Sequence, residues 1–232
     1  MPCLMPNRFD IDTGSTGIVT GLHYRADRNR DVVKQATLIL AHGAGAPQLS
    51  PFMRQFAEGL ARRGIDIVTF NFVYMEQGRR ASDPKAQLEA TYRAVVEATR
   101  TVVTSAKTRL VIGGKSMGGR IASQVAASDE APVEVSGLIF LGYPLHPPGR
   151  LERRRDAHLP SIAAPMLFVQ GSRDLFGTRE EIQPVVAACQ AAQLHVVEGA
   201  DHSLKVRGKD ALLLETIYSS TQDAIAEWIA AL

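Results

Sequence analysis

The chain has 232 residues, 45% of them apolar, and a formal net charge of +2. That length suits a single domain, expected here over residues 1–232, with a substantial buried core. The near-neutral balance gives no global pull toward nucleic acid, and no apolar run approaches the ~20 residues of a membrane helix.

Cys3 and Cys189 stand far apart in the chain and neither has metal-ligand spacing around it, so neither a disulfide nor a metal site is expected. The opening MPCLMPNRFDID lacks a basic segment followed by an apolar run. It is therefore not read as a signal peptide, and the expected compartment is the cytoplasm. Arg153-Arg154-Arg155 is a local basic cluster: either a solvated face or a patch for an acidic partner.

In chain order, RFDID and IVTGLHY within residues 8–24 read as two short strands split by Thr13-Gly14-Ser15. Residues 25–35 are polar and read as a loop. TLILA, residues 37–41, is continuously apolar, the pattern of a strand buried on both faces. It ends in His42-Gly43-Ala44-Gly45. Ser50 is a plausible N-cap with Pro51 in the first helical position. That helix carries Phe52, Met53, Phe56 and Leu60 on its apolar side and stops near Gly64. IDIVTFNF, residues 65–72, is the next strand. Asp83-Pro84 opens a long helix with Leu88, Tyr92, Val95, Val96, Val102 and Val103 at helical spacing.

RLVIG, residues 109–113, is a strand that runs into GKSMGGR, and the helix after it carries Ile121 and Val125. VSGLIFL, residues 135–141, is a strand. GYPLHPPG after it is irregular, and residues 150–162 form a surface segment. MLFVQ, residues 166–170, ends in Gly171-Ser172-Arg173-Asp174. Thr178 and Glu181 form a capping box for a helix with Ile182, Val185, Val186 and Cys189 on one face, weakened by Pro184. LHVV, residues 194–197, is a last strand before Glu198–His202. A final helix shows Ile225, Trp228, Ile229 and Leu232 at helical spacing. Six strands alternating with helices predict an α/β, mostly parallel, doubly wound sheet with helices on both faces. Its ligand site belongs beyond the C-terminal strand ends, where the loops 42–46, 114–119, 171–177 and 198–203 converge.

VIGGKSMGGR, residues 111–120, carries two overlapping motifs. A phosphate-binding loop, G-x-x-x-x-G-K-[ST], needs a glycine at position 109, where Arg109 stands inside strand. The second motif is G-x-S-x-G, a sharp strand-to-helix turn that presents a serine, with Gly114 and Gly118 clearing space on either side of Ser116. A serine hydroxyl is a weak nucleophile and needs a positioned base. On such a sheet the partners follow in the order serine, acid, histidine. His202 alone among six histidines falls in the loop after the last strand. Asp174 is the candidate acid and Asp201 its rival, handicapped by adjacency to His202. Backbone N–H groups must also face the oxygen that becomes negative, each worth about 3 kcal/mol of barrier. Met117, after the serine, and Ala44, after an early strand, are the candidate donors. His42 is read as organising that loop.

These motifs resemble a known family. LAHGAGAP, SPFM, GGKSMGGR, LGYPLHPPG, VQGSRDLFGT and ADHSLK, in that order, are similar to the α/β-hydrolase superfamily. Within it they resemble the dienelactone-hydrolase-like subgroup related to testis-expressed protein 30 and to subunit 3 of the non-specific-lethal chromatin complex. The resemblance implies an α/β-hydrolase fold with N-terminal antiparallel strands and a Ser116–Asp174–His202 triad. Dienelactone hydrolases proper carry a cysteine where this chain has Ser116.

The expected chemistry is hydrolysis of a carboxylic ester or related acyl substrate through an acyl-enzyme, with no metal or organic cofactor required. The expected partner is a small-molecule acyl substrate, with no nucleic acid and no membrane. Thioester, peptide or lactone hydrolysis, or a non-catalytic scaffold on the same fold, remain alternatives. Candidate pocket residues at the same sheet edge are His42, Phe72, Tyr74, Met75, Tyr143, Leu145 and His146. Lys115 either pairs with a carboxylate outside the pocket or attracts an anionic substrate. Residues 145–160 are the only stretch available for a lid, which predicts an open site.

Overall fold

The computed structural model describes residues 5–28, 35–128, 131, 133–208 and 211–232. The expectation for Cys3 and most of the loop at 25–35 lie outside the described residues. Among the described residues eight strands form one sheet: β1 (Asn7–Asp12), β2 (Ile18–Tyr24), β3 (Thr37–Ala41), β4 (Asp66–Phe70), β5 (Leu110–Lys115), β6 (Gly137–Leu141), β7 (Met166–Gly171) and β8 (Ala192–Val197). Their order is β1-β2-β4-β3-β5-β6-β7-β8. β1 and β2 pair antiparallel, β2 meets β4 antiparallel, and β3 to β8 run parallel.

Among the described residues six α-helices cover this sheet: α1 (Pro51–Ala61), α2 (Val73–Glu76), α3 (Lys85–Val102), α4 (Met117–Ala126), α5 (Arg179–Ala187) and α6 (Ala211–Ala230). Side-chain alternation along each strand divides the core in two. On β3, Ile39 and Ala41 point into a core shared with Tyr92 and Val95 of α3, Ile121 and Val125 of α4, and Ile182 of α5. Leu38 and Leu40 point the other way, into a core shared with Phe56 and Leu60 of α1 and Ile225 and Trp228 of α6. Strands buried on both faces explain why TLILA and MLFVQ read as unbroken apolar runs. The fold is that of an α/β-hydrolase, a mostly parallel sheet with antiparallel N-terminal strands.

Several boundaries differ from those read in the sequence. β4 stops at Phe70, and Asn71 and Phe72 turn the chain into α2, which was not anticipated. β8 starts two residues earlier than expected and β6 two residues later. Thr13-Gly14-Ser15 is not a simple break: Gly14–Thr16 is one turn of 3-10 helix. Pro184 is accommodated within α5. It and Glu180, whose carbonyl it leaves without an intrahelical donor, lie on the exposed side of the helix. The capping box holds, with the Glu181 carboxylate accepting from the Thr178 N–H at 2.8 Å.

The strand order reverses about β3. From β3 the chain moves outward to β4, then returns to lay β5 on the opposite side. At such a switch point the loops leaving the two adjacent strands part and open a crevice. Here those loops are 42–46 and the β5–α4 turn.

Candidate active site

The β5–α4 turn is sterically confined. Ser116 sits at φ 50° and ψ −113°, a conformation that costs a non-glycine residue about 1–3 kcal/mol. It is held by its own N–H donating to Leu141 O at 3.1 Å and by the Arg120 N–H donating to Ser116 O at 3.1 Å. A Cβ on Gly114 would meet Ala41 O at 2.5 Å, and one on Gly118 would meet Ala41 O at 2.5 Å and His42 O at 2.7 Å. A Cβ on Gly113 would meet Ile139 O at 2.0 Å. All these neighbours are backbone and cannot swing away. The glycines let β3, β5 and α4 close on one another, and that closure lifts Ser116 out of the sheet edge.

Asp174 lies in the β7–α5 loop and is fully buried. Its Oδ1 accepts from the Phe176 N–H at 2.8 Å and its Oδ2 from Gln170 Nε2 at 2.9 Å. Gln170 is itself fully buried and ties β7 to the next loop, donating to Gly177 O at 2.8 Å and accepting from the Tyr143 N–H at 2.8 Å. His202 follows β8. Its Nδ1 is 2.7 Å from Asp174 Oδ2 and its Nε2 is 2.8 Å from Ser116 Oγ. The Phe176 ring stacks on the imidazole with centroids 4.2 Å apart.

Asp201 is used differently. Its Oδ1 accepts from the N–H groups of Ser203 and Lys205 at 2.8 and 3.0 Å, capping the turn that carries His202. Among the described residues no hydrogen bond joins Asp201 to the His202 ring. The Tyr218 hydroxyl of α6 donates to Ser203 O at 2.9 Å and braces the same turn.

His42 is buried, and burial lowers its pKa to about 4 against the opposing pull of the Gly43 carbonyl, so the ring is neutral. Its Nε2 accepts from the Phe72 N–H at 3.1 Å. The proton is thereby left on Nδ1, which donates to Gly43 O at 2.7 Å. This one side chain fixes the loop that presents Ala44. Among the described residues the N–H groups of Ala44 and Met117 donate to no backbone carbonyl, and both residues line the cavity beside Ser116.

That cavity has a volume of about 520 Å³. Ala46, Ser50, Phe52 and Met53 form one wall, and Ser82, Arg120, Pro144, Arg155 and Phe176 form the other. None of the seven residues expected as pocket walls lines it. Phe72, Tyr74, Tyr143 and Leu145 are fully buried in the core, and Met75 packs against it half-buried. His146 is buried, with Nε2 3.2 Å from Glu181. The edge was correct but the direction was not: the chain after β4 turns under α3 and packs Phe72 edge-on against Phe70. The actual walls come from the first turn of α1, from α4 and from the loops carrying Ser82, Pro144, Arg155 and Phe176. Arg120 carried a signal in the sequence, since i+4 from Ser116 lies on the same helical face.

Lys115 is a further correction to the carboxylate-partner reading, because its Nζ donates to the His202 backbone carbonyl. The ammonium is also 5.8 Å from the Phe52 ring centroid. Desolvation lowers its pKa to about 8, against the raising effect of Asp174 and Asp201. Among the described residues no group of three or more His, Cys, Asp and Glu side chains is placed to hold a metal ion.

The alpha/beta hydrolase domain family matches residues 34–230, and the chain belongs to that family. Solved structures share its fold at low identity. Esterase 2 of Thermogutta terrifontis, phosphoramylated by tabun, is 18% identical with a TM-score of 0.73, covering 99% of this chain and 96% of its own. A serine hydrolase without lid from Xanthomonas campestris is 19% identical with a TM-score of 0.72, covering 98% and 96%. Dienelactone hydrolase of Anabaena variabilis is 18% identical with a TM-score of 0.71, covering 97% of each.

Proposed function

We propose that this protein is a serine hydrolase that cleaves a carboxylic ester through an acyl-enzyme. The observation that carries the reading is the unbroken series Ser116 Oγ–His202 Nε2–Nδ1–Asp174 Oδ2, with spacings of 2.8 and 2.7 Å. Its three members come from three separate loops at one sheet edge. Such a series supplies a nucleophile, a base and an orienting acid together.

His202 Nε2 takes the Ser116 proton as Oγ attacks the substrate carbonyl carbon. The carbonyl π electrons move onto oxygen, which is met by the Met117 and Ala44 N–H groups. The N-terminus of α4 adds its dipole at the same place. Collapse of the adduct breaks the bond to the alcohol, which leaves with the proton from His202. Water, deprotonated by His202, then attacks the acyl-Ser116, and the acid departs as the proton returns to Oγ. Asp174 stays ionised throughout and keeps the second imidazole proton on Nδ1.

Arg155 borders the cavity from the segment that could have formed a lid, Pro144 borders it just before that segment begins, and Leu159 of the segment is buried. An uncapped cavity of about 520 Å³ supports small or exposed esters over long acyl chains. The run of six sequence motifs supports placing the chain in the dienelactone-hydrolase-like subgroup related to testis-expressed protein 30.

Turnover of p-nitrophenyl acetate and butyrate tests the proposal. Wild type should hydrolyse one or both, and Ser116→Ala should lose about 10⁴-fold or more in kcat. A folded wild type with no turnover of any ester, thioester or lactone would favour a scaffold.

A further inference from the structure

The cavity beside Ser116 is lined by three cationic side chains, Lys115, Arg120 and Arg155, and by no aspartate or glutamate among its described residues. Lys115 is already engaged by the His202 carbonyl. The two arginines are not. Arg120 makes only a 3.5 Å approach to Gln124, and its Nε is buried with no acceptor. Among the described residues no carboxylate forms an ion pair with Arg120 or Arg155.

The nearby acids are committed elsewhere. Glu89 pairs with Lys85 at 3.4 Å, Asp156 pairs with Arg154, and Asp174 is consumed by His202. The backbone of Arg155 is fixed from both sides: its N–H donates to Leu145 O at 2.9 Å and its carbonyl accepts from the Tyr143 hydroxyl at 2.7 Å. Burial lowers the pKa of Arg120 and the charge of the neighbouring Arg155 lowers it further, against the weaker raising effect of Tyr143 and Glu89. Two guanidiniums lining one cavity with no ion-paired carboxylate are suited to a shared anion. Their planar forks match a carboxylate.

We propose that the substrate is an ester bearing a free carboxylate, bound by Arg120 and Arg155 while Ser116 attacks the ester carbonyl. The inference rests on the hydrolase reading and names its substrate class. Arg120 lies one helical turn from Ser116, about 6 Å along α4, and both residues line the same cavity. The anion therefore sits a short chain away from the scissile carbonyl, the spacing of a half-ester of a small dicarboxylic acid.

The test compares monoethyl glutarate with diethyl glutarate, two esters differing in one charge. Wild type should prefer the monoester in kcat/KM by about tenfold or more, the scale of a charge-assisted pair. That preference should shrink about tenfold in Arg120→Gln and in Arg155→Gln, and part of it should survive in Arg155→Lys. In wild type alone, glutarate should inhibit p-nitrophenyl acetate hydrolysis competitively and glutaramide should not, which requires no variant to fold. Equal or better turnover of the diester by wild type would overturn the proposal and leave the hydrolase reading standing. So would an unchanged preference in both glutamine variants. No turnover of either ester, together with no labelling by a fluorophosphonate, would overturn the hydrolase reading and this inference with it.

Discussion

Asp174→Asn separates the two candidate acids. The carboxylate accepts three hydrogen bonds: from the Phe176 N–H on Oδ1 at 2.8 Å, and from Gln170 Nε2 and the His202 ring on Oδ2 at 2.9 and 2.7 Å. An asparagine has one oxygen and one NH2 for these three donors. With its oxygen toward Phe176, the NH2 faces His202, whose Nδ1 must give up its proton to accept. The proton then sits on Nε2, facing Ser116, and no base remains. With its oxygen toward His202, the NH2 meets the Phe176 N–H, an unmade buried bond that costs about 1–3 kcal/mol. The first arrangement also loses the Gln170 bond, but Gln170 Nε2 keeps Gly177 O at 2.8 Å, whereas among the described residues the Phe176 N–H has no second acceptor. The first arrangement is therefore the less costly, and kcat should fall about 10⁴-fold, the size expected when the tautomer is wrong. Asp201→Asn should behave otherwise. An amide oxygen still accepts from Ser203 and Lys205, so kcat should stay within about threefold. The assay is kcat and KM on p-nitrophenyl butyrate for both variants, with melting curves to establish folding. Retention of more than a tenth of wild-type kcat by folded Asp174→Asn would refute the reasoning. So would a larger loss in Asp201→Asn.

Gly118→Ala places a Cβ 2.5 Å from Ala41 O and 2.7 Å from both Ala41 C and His42 O. Backbone must move, at about 1–3 kcal/mol, and the loop carrying Ala44 moves with it. The melting temperature should fall by about 2–12 °C and turnover should fall with it; an unchanged melting curve contradicts the account. Burial raises the Asp66 carboxyl, but bonds from His23, Ser105 and the Ala26 N–H and the charge of Arg28 outweigh it and bring the pKa from 3.8 to about 2. A folded value below the unfolded one means stability present above about pH 3.8 and lost as pH falls through 2. The shift corresponds to about 2 kcal/mol. Asp66→Asn should be about 2 kcal/mol less stable at pH 7 in urea unfolding, and its stability should fall less steeply than wild type between pH 4 and 2. Parallel acid limbs would contradict this.

What the sequence revealed about the site followed from where chemistry meets strand ends. Ser116, Asp174 and His202 each fall one to five residues beyond a strand, and continuous apolar runs located those strands. The glycines around Ser116 declared a close approach, and the backbone leaves no room there for a Cβ. His42 was legible as a loop organiser because it opens the loop after β3. The pocket walls were not legible. Position beyond a strand end says that a residue is at the edge; it does not say whether the chain then turns toward the crevice or under a helix. Phe72 turned inward because its N–H is claimed by His42, a contact 30 residues apart in sequence. The use of Lys115 was hidden for the same reason, since its acceptor is a backbone carbonyl 87 residues away. The arginine pair has one member i+4 from the serine, which periodicity could have flagged. Its other member lies in a basic cluster where only the fold distinguishes Arg155, facing the cavity, from Arg154, paired with Asp156.

The central claim is that Ser116 is an activated nucleophile. Incubation with a fluorophosphonate, followed by intact mass and peptide mapping, measures this directly. The account predicts one adduct per wild-type chain, on Ser116, and none on Ser116→Ala at the same concentration. A folded wild type that takes no label, or takes it on another residue, would contradict it.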